Sequence, residues 1–316
     1  DFTDGMLFTE DGLEQASRLQ AAALHAGRFR GVGIKQVADL GCGIGAESMA
    51  MAAIDLEVRA FEIDEVTAAL AVFNLGAFDN AEVEQADITT LDLSQFEALF
   101  FDPARRELDG KGERAARKFD PALFAPNFDW VLDQATKRPT GIKLGPGHPH
   151  EAIPEGAEAQ WVSVNGDVVE LGLWFGPLAK EGVTRSALII TPDGMHELTA
   201  AADSHDAECG PLSKYIYEPD GAVIRARLIG DLARSLGAHM LDEHIAYMSS
   251  DTGVATPFAN CFEVVQEFAL DVKVLAKELK ARGIGTLEIK KRGSDIVPEQ
   301  LRKELQPKGK GAATLI

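Results

Sequence analysis

The chain has 316 residues, 46% hydrophobic and 26% charged, with 31 Lys and Arg against 50 Asp and Glu for a formal charge of −19. That length leaves room for more than one folded domain, and no apolar run approaches the ~20 residues that cross a bilayer, so no membrane partner is expected. The acidity excludes a surface given over wholly to nucleic acid, though not a local basic face. Cys42, Cys209 and Cys261 lie far apart without metal-ligand spacing, which predicts no metal site and a reducing, cytoplasmic location. No secretory leader stands out, and a start on Asp1 rather than methionine predicts that an N-terminal segment is missing.

Leu13, Ala16, Leu19, Ala22, Ala23 and Ala26 recur at helical spacing and predict a helix over Glu10–Arg28, capped by Thr9 or Asp11. Val37–Leu40 then reads as a buried strand, Gly41–Gly45 as a glycine-rich turn, and Ser48–Ala53 as the start of a helix. Strand, turn and helix form the first unit of a doubly wound α/β domain, whose ligand lies beyond the carboxyl ends of the strands. The glycines admit close approach of backbone to ligand, and the helix start offers free N–H groups. Gly41, Gly43 and Ala46 also fit the G-x-G-x-x-A dinucleotide pattern, so the turn alone does not choose its ligand, and a turn with no ligand stays open.

Val58–Glu62 predicts a second strand with an acid at its tip, placed to accept from a ribose diol. A helix over Glu65–Phe78 and a third strand, Ala81–Glu84, lead to Asp87, and a fourth strand, Ala98–Phe101, ends in Asp102-Pro103-Ala104-Arg105-Arg106. Asp39, two residues before the first glycine, suits a cationic amino-acid moiety and is awkward beside a pyrophosphate. Arg105–Arg114 reads as a loop over the site. Asp120–Phe124 and Trp130–Leu132 re-enter structure, and Thr140–Leu144 is the fifth strand, with Lys143 at its tip. His148 and His150 have no third ligand nearby and read as a solvated loop. Gln160–Val164, Asn165-Gly166 and Asp167–Phe175 predict a hairpin with a type I′ turn, and Arg185–Thr191 another strand.

After a polar linker over Ala201–Pro211, Tyr215–Ala226 opens a helix running to Leu236-Gly237. Strands are expected over Ala246–Asp251, Phe262–Phe268 and Thr286–Gly293, and helices over Asp271–Arg282 and Val297–Leu305. Asp271–Ile316 holds eleven Lys and Arg against six Asp and Glu, a basic stretch on an acidic chain.

Asp39–Gly45, Glu62, Asp87 and Asp102 onward resemble motifs I to IV of class I S-adenosylmethionine-dependent methyltransferases. Asp102–Arg106, Tyr217–Ala226 and Leu287–Gly293 are similar to one bacterial family of these enzymes, and that resemblance covers nearly all of the chain. It implies an α/β fold: a doubly wound, Rossmann-like methyltransferase sheet, mostly parallel with an antiparallel last strand, then small α+β modules. The implied domains are an N-terminal helical segment (1–36), the catalytic domain (37–203), a ferredoxin-like module (211–252) and a THUMP-like domain (253–316). S-adenosylmethionine is the implied cofactor, held by Gln15, Asp39, Gly41, Gly43, Gly45, Glu62 with Ile63, and Asp87 with Ile88. Gln15 belongs to a Glu-Gln-Ala-Ser segment that in relatives lies near the methionine end, and Asp87 is where the family meets the adenine amino group. A merely solvated Gln15 and a turn-capping Asp87 remain open.

Relatives that methylate amino groups of bases carry Asp/Asn-Pro-Pro-aromatic at motif IV, where the ring stacks on the base. Here Ala104 and Arg105 replace the second proline and the ring. Carbon-5 pyrimidine chemistry needs a nucleophilic cysteine, but Cys42 belongs to the cofactor turn and Cys209 and Cys261 lie in no recognised motif. Asp102 is the candidate for orienting the acceptor. Arg105 and Arg106 either hold an anionic part of the substrate or pair with nearby acids, and Lys143 either joins them or points to solvent. THUMP relatives bind structured RNA, so RNA is the expected partner, with Lys290, Lys291 and Arg292 on its phosphates. Other readings stay open: a cofactor-binding protein whose methyltransferase activity is lost or directed at something other than RNA, and an NAD-dependent oxidoreductase. Oligomeric state is not legible.

Overall fold

The computed structural model describes residues 5–8, 18–105, 123–293 and 295–316. They fall into two units, Asp1–Asp203 with Gly221–Leu228, and Ser204–Asp220 with Ile229–Ile316.

The first unit grows from the expected strand, turn and helix: β1 (Gln36–Leu40), the glycine turn, and α2 (Ala46–Ala52), preceded by α1 (Leu19–Gly31). α1 ends at Gly31, three residues beyond the expected Arg28, and the expected start at Glu10 lies outside the described residues. Its buried side chains are Ala21, Ala22, His25, Ala26 and Phe29, while residues 9–17, with Gln15, lie outside the described residues. β2 (Glu57–Glu62), α3 (Glu65–Leu75), β3 (Ala81–Gln85) and β4 (Ala98–Phe101) follow. β5 (Ala104–Arg105) pairs with β6 (Phe124–Ala125), then come α4 (Phe128–Ala135) and β7 (Thr140–Leu144). β8 (Glu158–Val164), β9 (Asp167–Phe175), β10 (Arg185–Thr191) and β11 (Gly194–Ala200) complete the sheet. Nine strands stand in the order β11-β10-β8-β9-β7-β4-β1-β2-β3.

β3, β2, β1, β4 and β7 run parallel, and β9 runs antiparallel to both β7 and β8. The expected antiparallel last strand is β11, paired antiparallel with β10 at the edge, and β9 is a second antiparallel strand inside the sheet. Every residue of β8 is buried, so it cannot face solvent; β10 covers it in parallel, and the half-exposed β11 becomes the edge. Asn165 and Gly166 take φ of 53° and 90°, the left-handed pair that closes the β8–β9 hairpin. α5 (Gly221–Arg225) belongs to this unit and packs on β8 and β10.

One face of the sheet is arranged around a single indole. Trp174 on β9 is 1% exposed, and a Cβ at Gly141 or Gly172 would come within 2.6 or 2.8 Å of its ring. Those two glycines are cleared for the ring, which packs edge-on with Phe29, itself edge-on to Phe100. Removing such a fully buried aromatic costs about 3–5 kcal/mol.

The stretch expected to open a single helix divides, and its parts belong to different units. β12 (Tyr215–Pro219) is a strand, and α5 and α6 (Ile229–Leu236) are separated where Arg227 adopts φ 56°. The tyrosine alternation carries the strand: Tyr217 is fully buried, and its hydroxyl donates to Thr252 O at 2.8 Å and accepts from Val254 N at 2.6 Å. With β13 (His239–Asp242), β14 (Ile245–Ser250) and β15 (Ala259–Glu263) it forms an antiparallel sheet ordered β13-β14-β12-β15. β15 ends at Glu263, short of the expected Phe268, because its partner β12 begins opposite at Tyr215. This sheet spans residues 215–263, across the expected module boundary at 252/253. α7 (Val272–Ala281), β16 (Ile284–Ile289), α8 (Pro298–Leu305) and β17 (Gly311–Leu315) follow, with β16 and β17 parallel over a core of Leu275, Leu287, Leu301 and Leu305. No helix among the described residues is long and apolar enough to cross a membrane.

Candidate cofactor and acceptor site

β1 delivers Asp39 and then the turn. Gly41, Gly43 and Gly45 all take positive φ, at 94°, 54° and 90°. Only glycine adopts such a run without strain. A Cβ at Gly41 would sit 3.2 Å from Asp102 O, and one at Gly45 would press on Leu75. At Gly43 it would meet no heavy atom within 4 Å, so open space faces the middle of the turn. The turn leads into the first amides of α2.

Glu62 ends β2 beside this turn. Its Oε2 accepts from Gly43 N at 3.0 Å, and Oε1 from Ile63 N at 2.8 Å and Asp64 N at 3.0 Å, which fixes the carboxylate while leaving lone pairs for a diol. Ile63, 65% exposed, presents an apolar surface next to it. Asp87 caps the short turn Ile88–Thr90, its Oδ1 accepting from the Thr89 amide and hydroxyl, and these bonds hold its carboxyl below the usual aspartate range. Ile88 is buried. These residues fit an adenosyl ligand: open backbone at Gly43, a fixed carboxylate and an apolar side chain at the strand tip.

Asp39 is 1% exposed and accepts from Ser48 Oγ at 2.5 Å. Burial lifts its carboxyl to about 7, against the Ser48 hydrogen bond. Cys42 is buried, and burial with the nearby acids Asp39 and Glu62 drives its thiol far above the ordinary value. A neutral thiol is no nucleophile, which removes Cys42 from covalent chemistry.

Asp102 leaves the end of β4 and meets Lys143 of β7, Nζ to Oδ2 at 2.5 Å, with the lysine side chain 12% exposed. Lys143 does not simply point to solvent, as one sequence reading had it. Burial raises the Asp102 carboxyl, with Lys143 pulling it back; burial opposes the Lys143 charge, but Asp102 and the nearby Glu47 and Glu170 outweigh it and lift the ammonium higher. A carboxylate with a raised pKa is the better proton acceptor near neutral pH. The Arg105 backbone lies in the β5–β6 ladder opposite Phe124. Arg106, most of the expected loop, and Gln15 lie outside the described residues.

His148 is buried and half of a ring pair with Phe128, while His150 stacks on Trp161 and bonds Arg225 O at 2.6 Å. Both are packing residues rather than a solvated loop. Among the described residues no group of His, Cys, Asp and Glu could hold a metal ion.

Sequence reasoning missed the buried charges behind the turn. His25 of α1 stands between Glu47 of α2, at 3.1 Å, and Glu170 of β9, at 2.6 Å. Burial opposes the imidazole's charge, but the two carboxylates outweigh it and raise it to about 10. Arg28 forks onto the fully buried Glu158 at 2.6 and 2.9 Å. The signal was there: one acid each in the otherwise apolar Val168–Trp174 and in the mostly apolar Glu158–Val164, and a histidine among alanines.

In the second unit the three cations expected on phosphates differ in freedom. Lys290 is 19% exposed and lies 2.8 Å from Glu218 and 3.0 Å from Glu288. Arg292 stands over Tyr247 and 3.8 Å from Glu218. Lys291 is exposed, as are Lys273, Lys277, Lys280, Lys303, Lys308 and Lys310.

The family model described as "THUMP domain-like" matches residues 259–316. An uncharacterised S-adenosylmethionine-dependent methyltransferase of Mycobacterium tuberculosis is 33% identical over 310 residues, covering 96% of this chain and 82% of that protein, and matches equally in strains CDC 1551 and H37Rv. The crystal structure of a candidate methyltransferase from Porphyromonas gingivalis W83 superposes with a TM-score of 0.72 at 19% identity, over 97% of this chain and 79% of that one.

Proposed function

The chain belongs to the family of S-adenosylmethionine-dependent methyltransferases, and we propose that its acceptor is an RNA docked by the basic surface of the second unit. Bound at the turn, S-adenosylmethionine supplies a methyl carbon made electrophilic by the sulfonium. Gly41, Gly43 and Gly45 would hold it by backbone, Glu62 by the ribose hydroxyls, and Ile63, Asp87 and Ile88 on the adenine side, with Asp39 and Gln15 toward the amino-acid end. The protein's task is then to align an acceptor and take up its proton where it has one.

The observation that carries the transferase reading is Asp102 beside the turn, its backbone oxygen 3.2 Å from a Cβ at Gly41 and its carboxylate held by Lys143. In this role Asp102 orients the acceptor and Lys143 fixes the carboxylate, while Arg105 and Arg106 follow on the same segment as partners for an anionic acceptor. RNA is supported by the THUMP-like match together with seven exposed lysines in the segment that it covers. Lys291 is the leading phosphate contact; Lys290 and Arg292, drawn to Glu218, shape the surface beside it.

Transfer of labelled methyl from S-adenosylmethionine to deproteinised cellular RNA, followed by nucleoside mass spectrometry, tests the proposal. Label in one nucleoside is expected. Label confined to protein or small molecules would overturn the RNA acceptor, and no transfer to any fraction would favour a binding protein without catalysis.

A further inference from the structure

The glycine turn has no side chains at Gly41, Gly43 and Gly45 to hold it in place, so its position is imposed from outside. On one side Phe61 O and Glu62 of β2 accept from its amides, and on the other two consecutive residues of α2 anchor it. Ser48 is bound to Asp39 of β1 at 2.5 Å, and Glu47 faces His25 of α1 at 3.1 Å. The His25 ring also stands 2.6 Å from Glu170 of β9 and packs on Phe100 and Trp174, with centroids 5.5 and 5.4 Å away. One ring thus touches α2 two residues after the turn, β4 two residues before Asp102, and β9 beside the strand that carries Lys143.

We propose that His25 is a positioning residue for the cofactor turn, clamping the first turn of α2 through Glu47 against Glu170. This rests on the assignment of Gly41–Gly45 as the cofactor site. His25, Glu47 and Glu170 are 2%, 5% and 4% exposed, and three ionisable groups in such a place cost desolvation that a well-packed apolar core avoids. An apolar contact would hold α1 against α2 but would let α2 rotate about its axis or slide. The hydrogen bond between Nδ1 and Glu47 at 3.1 Å, with the ion pair of the ring and Glu170 at 2.6 Å behind it, fixes that rotation, and with it the path of the backbone from Gly45 into α2.

The test is titration of the full chain with S-adenosylhomocysteine, at a temperature where circular dichroism shows every variant folded. His25→Leu is expected to bind more than ten-fold more weakly than the parent. His25→Gln, which keeps a hydrogen-bonding side chain of similar reach, should recover most of that loss. Ile189→Ala, a cavity in β10 away from the turn, serves as a control of comparable destabilisation and should bind like the parent. Parent-like affinity in a folded His25→Leu would overturn the proposal, as would equal losses in His25→Leu and Ile189→Ala. Should His25→Leu fail to fold, Glu170→Gln decides: three- to ten-fold weaker binding supports the clamp, and unchanged binding overturns it. Failure of the parent itself to bind S-adenosylhomocysteine would instead contradict the assignment of the turn.

Discussion

The two units use charge in opposite ways. In the first, Arg28 with Glu158 and His25 with its two glutamates are held out of water at fixed distances, and a largely buried Lys143 is held on Asp102. In the second, Lys273, Lys277, Lys280, Lys291, Lys303, Lys308 and Lys310 stand exposed on or beside α7, β16, α8 and β17. A buried charge acts over one distance and is costly to uncouple; an exposed one adds little to stability but adds to a field that attracts anions. Fixed charges suit a site that must keep its geometry, and exposed charges suit the proposed role of a surface that finds a large polyanion.

The sharpest contrast is in stability. Glu158→Ala strands the Arg28 guanidinium, 12% exposed, and also removes the acceptor of Lys180 N. Loss of about 3–5 kcal/mol is expected in chemical denaturation of the full chain, whereas Lys303→Ala should stay within about 0.5 kcal/mol of the parent. Equal effects would erase the distinction between the units.

Asp102→Asn keeps the shape and loses the charge that Lys143 faces. Methyl transfer should fall about 10²–10⁴-fold if Asp102 accepts a proton, with S-adenosylhomocysteine affinity little changed. Transfer at the parent rate would reduce Asp102 to a structural partner of Lys143.

Stability should also depend on pH through the buried imidazole. His25 holds its proton up to about 10 in the fold against 6.5 unfolded, so its contribution is complete below pH 6.5 and is lost as pH rises through 10. Asp39, near 7 in the fold against 3.8, gives the same sign at lower pH, between those two values. The parent should lose up to about 1.4 kcal/mol per pH unit above pH 7, and His25→Gln should show a flatter profile over that range. A profile equally steep in the variant would place the proton elsewhere.

A smaller effect is expected at the pocket rim. Glu62→Ala leaves ribose hydroxyls without their acceptor and should cost about 1–3 kcal/mol of S-adenosylhomocysteine affinity by calorimetry. Unchanged affinity would detach Glu62 from the ligand.

Much of the first unit was legible because its signals are local. Glycines at positive φ, an acid at a strand tip, and Asn165-Gly166 between two apolar runs act within a few residues of themselves. β10 was legible to the residue, Arg185–Thr191, but β11 was not, because nothing in Gly194–Ala200 says that the sheet needs one more strand. The same holds for His25, Glu47 and Glu170, which are far apart in sequence and acquire meaning only when α1, α2 and β9 meet. In the second unit the cations were plain to count, but the capture of Lys290 by Glu218 is a contact across 72 positions that no spacing rule contains. Tyr215–Pro219 misled in another way: its tyrosines fit a strand through period-two alternation, and the following Gly221–Arg225 supplied the helical impression.

The measurement that bears most directly on the division of charge is RNA affinity of the full chain as a function of salt, with S-adenosylhomocysteine affinity recorded on the same preparations. Each phosphate contact releases counterions, so the double change Lys273→Ala with Lys291→Ala should lower the slope of log affinity against log salt by about two units, and leave cofactor affinity untouched. Lys290→Ala, whose ammonium already faces Glu218 and Glu288, should change the slope by less than one unit. A double variant that binds RNA like the parent at every salt concentration would contradict the account.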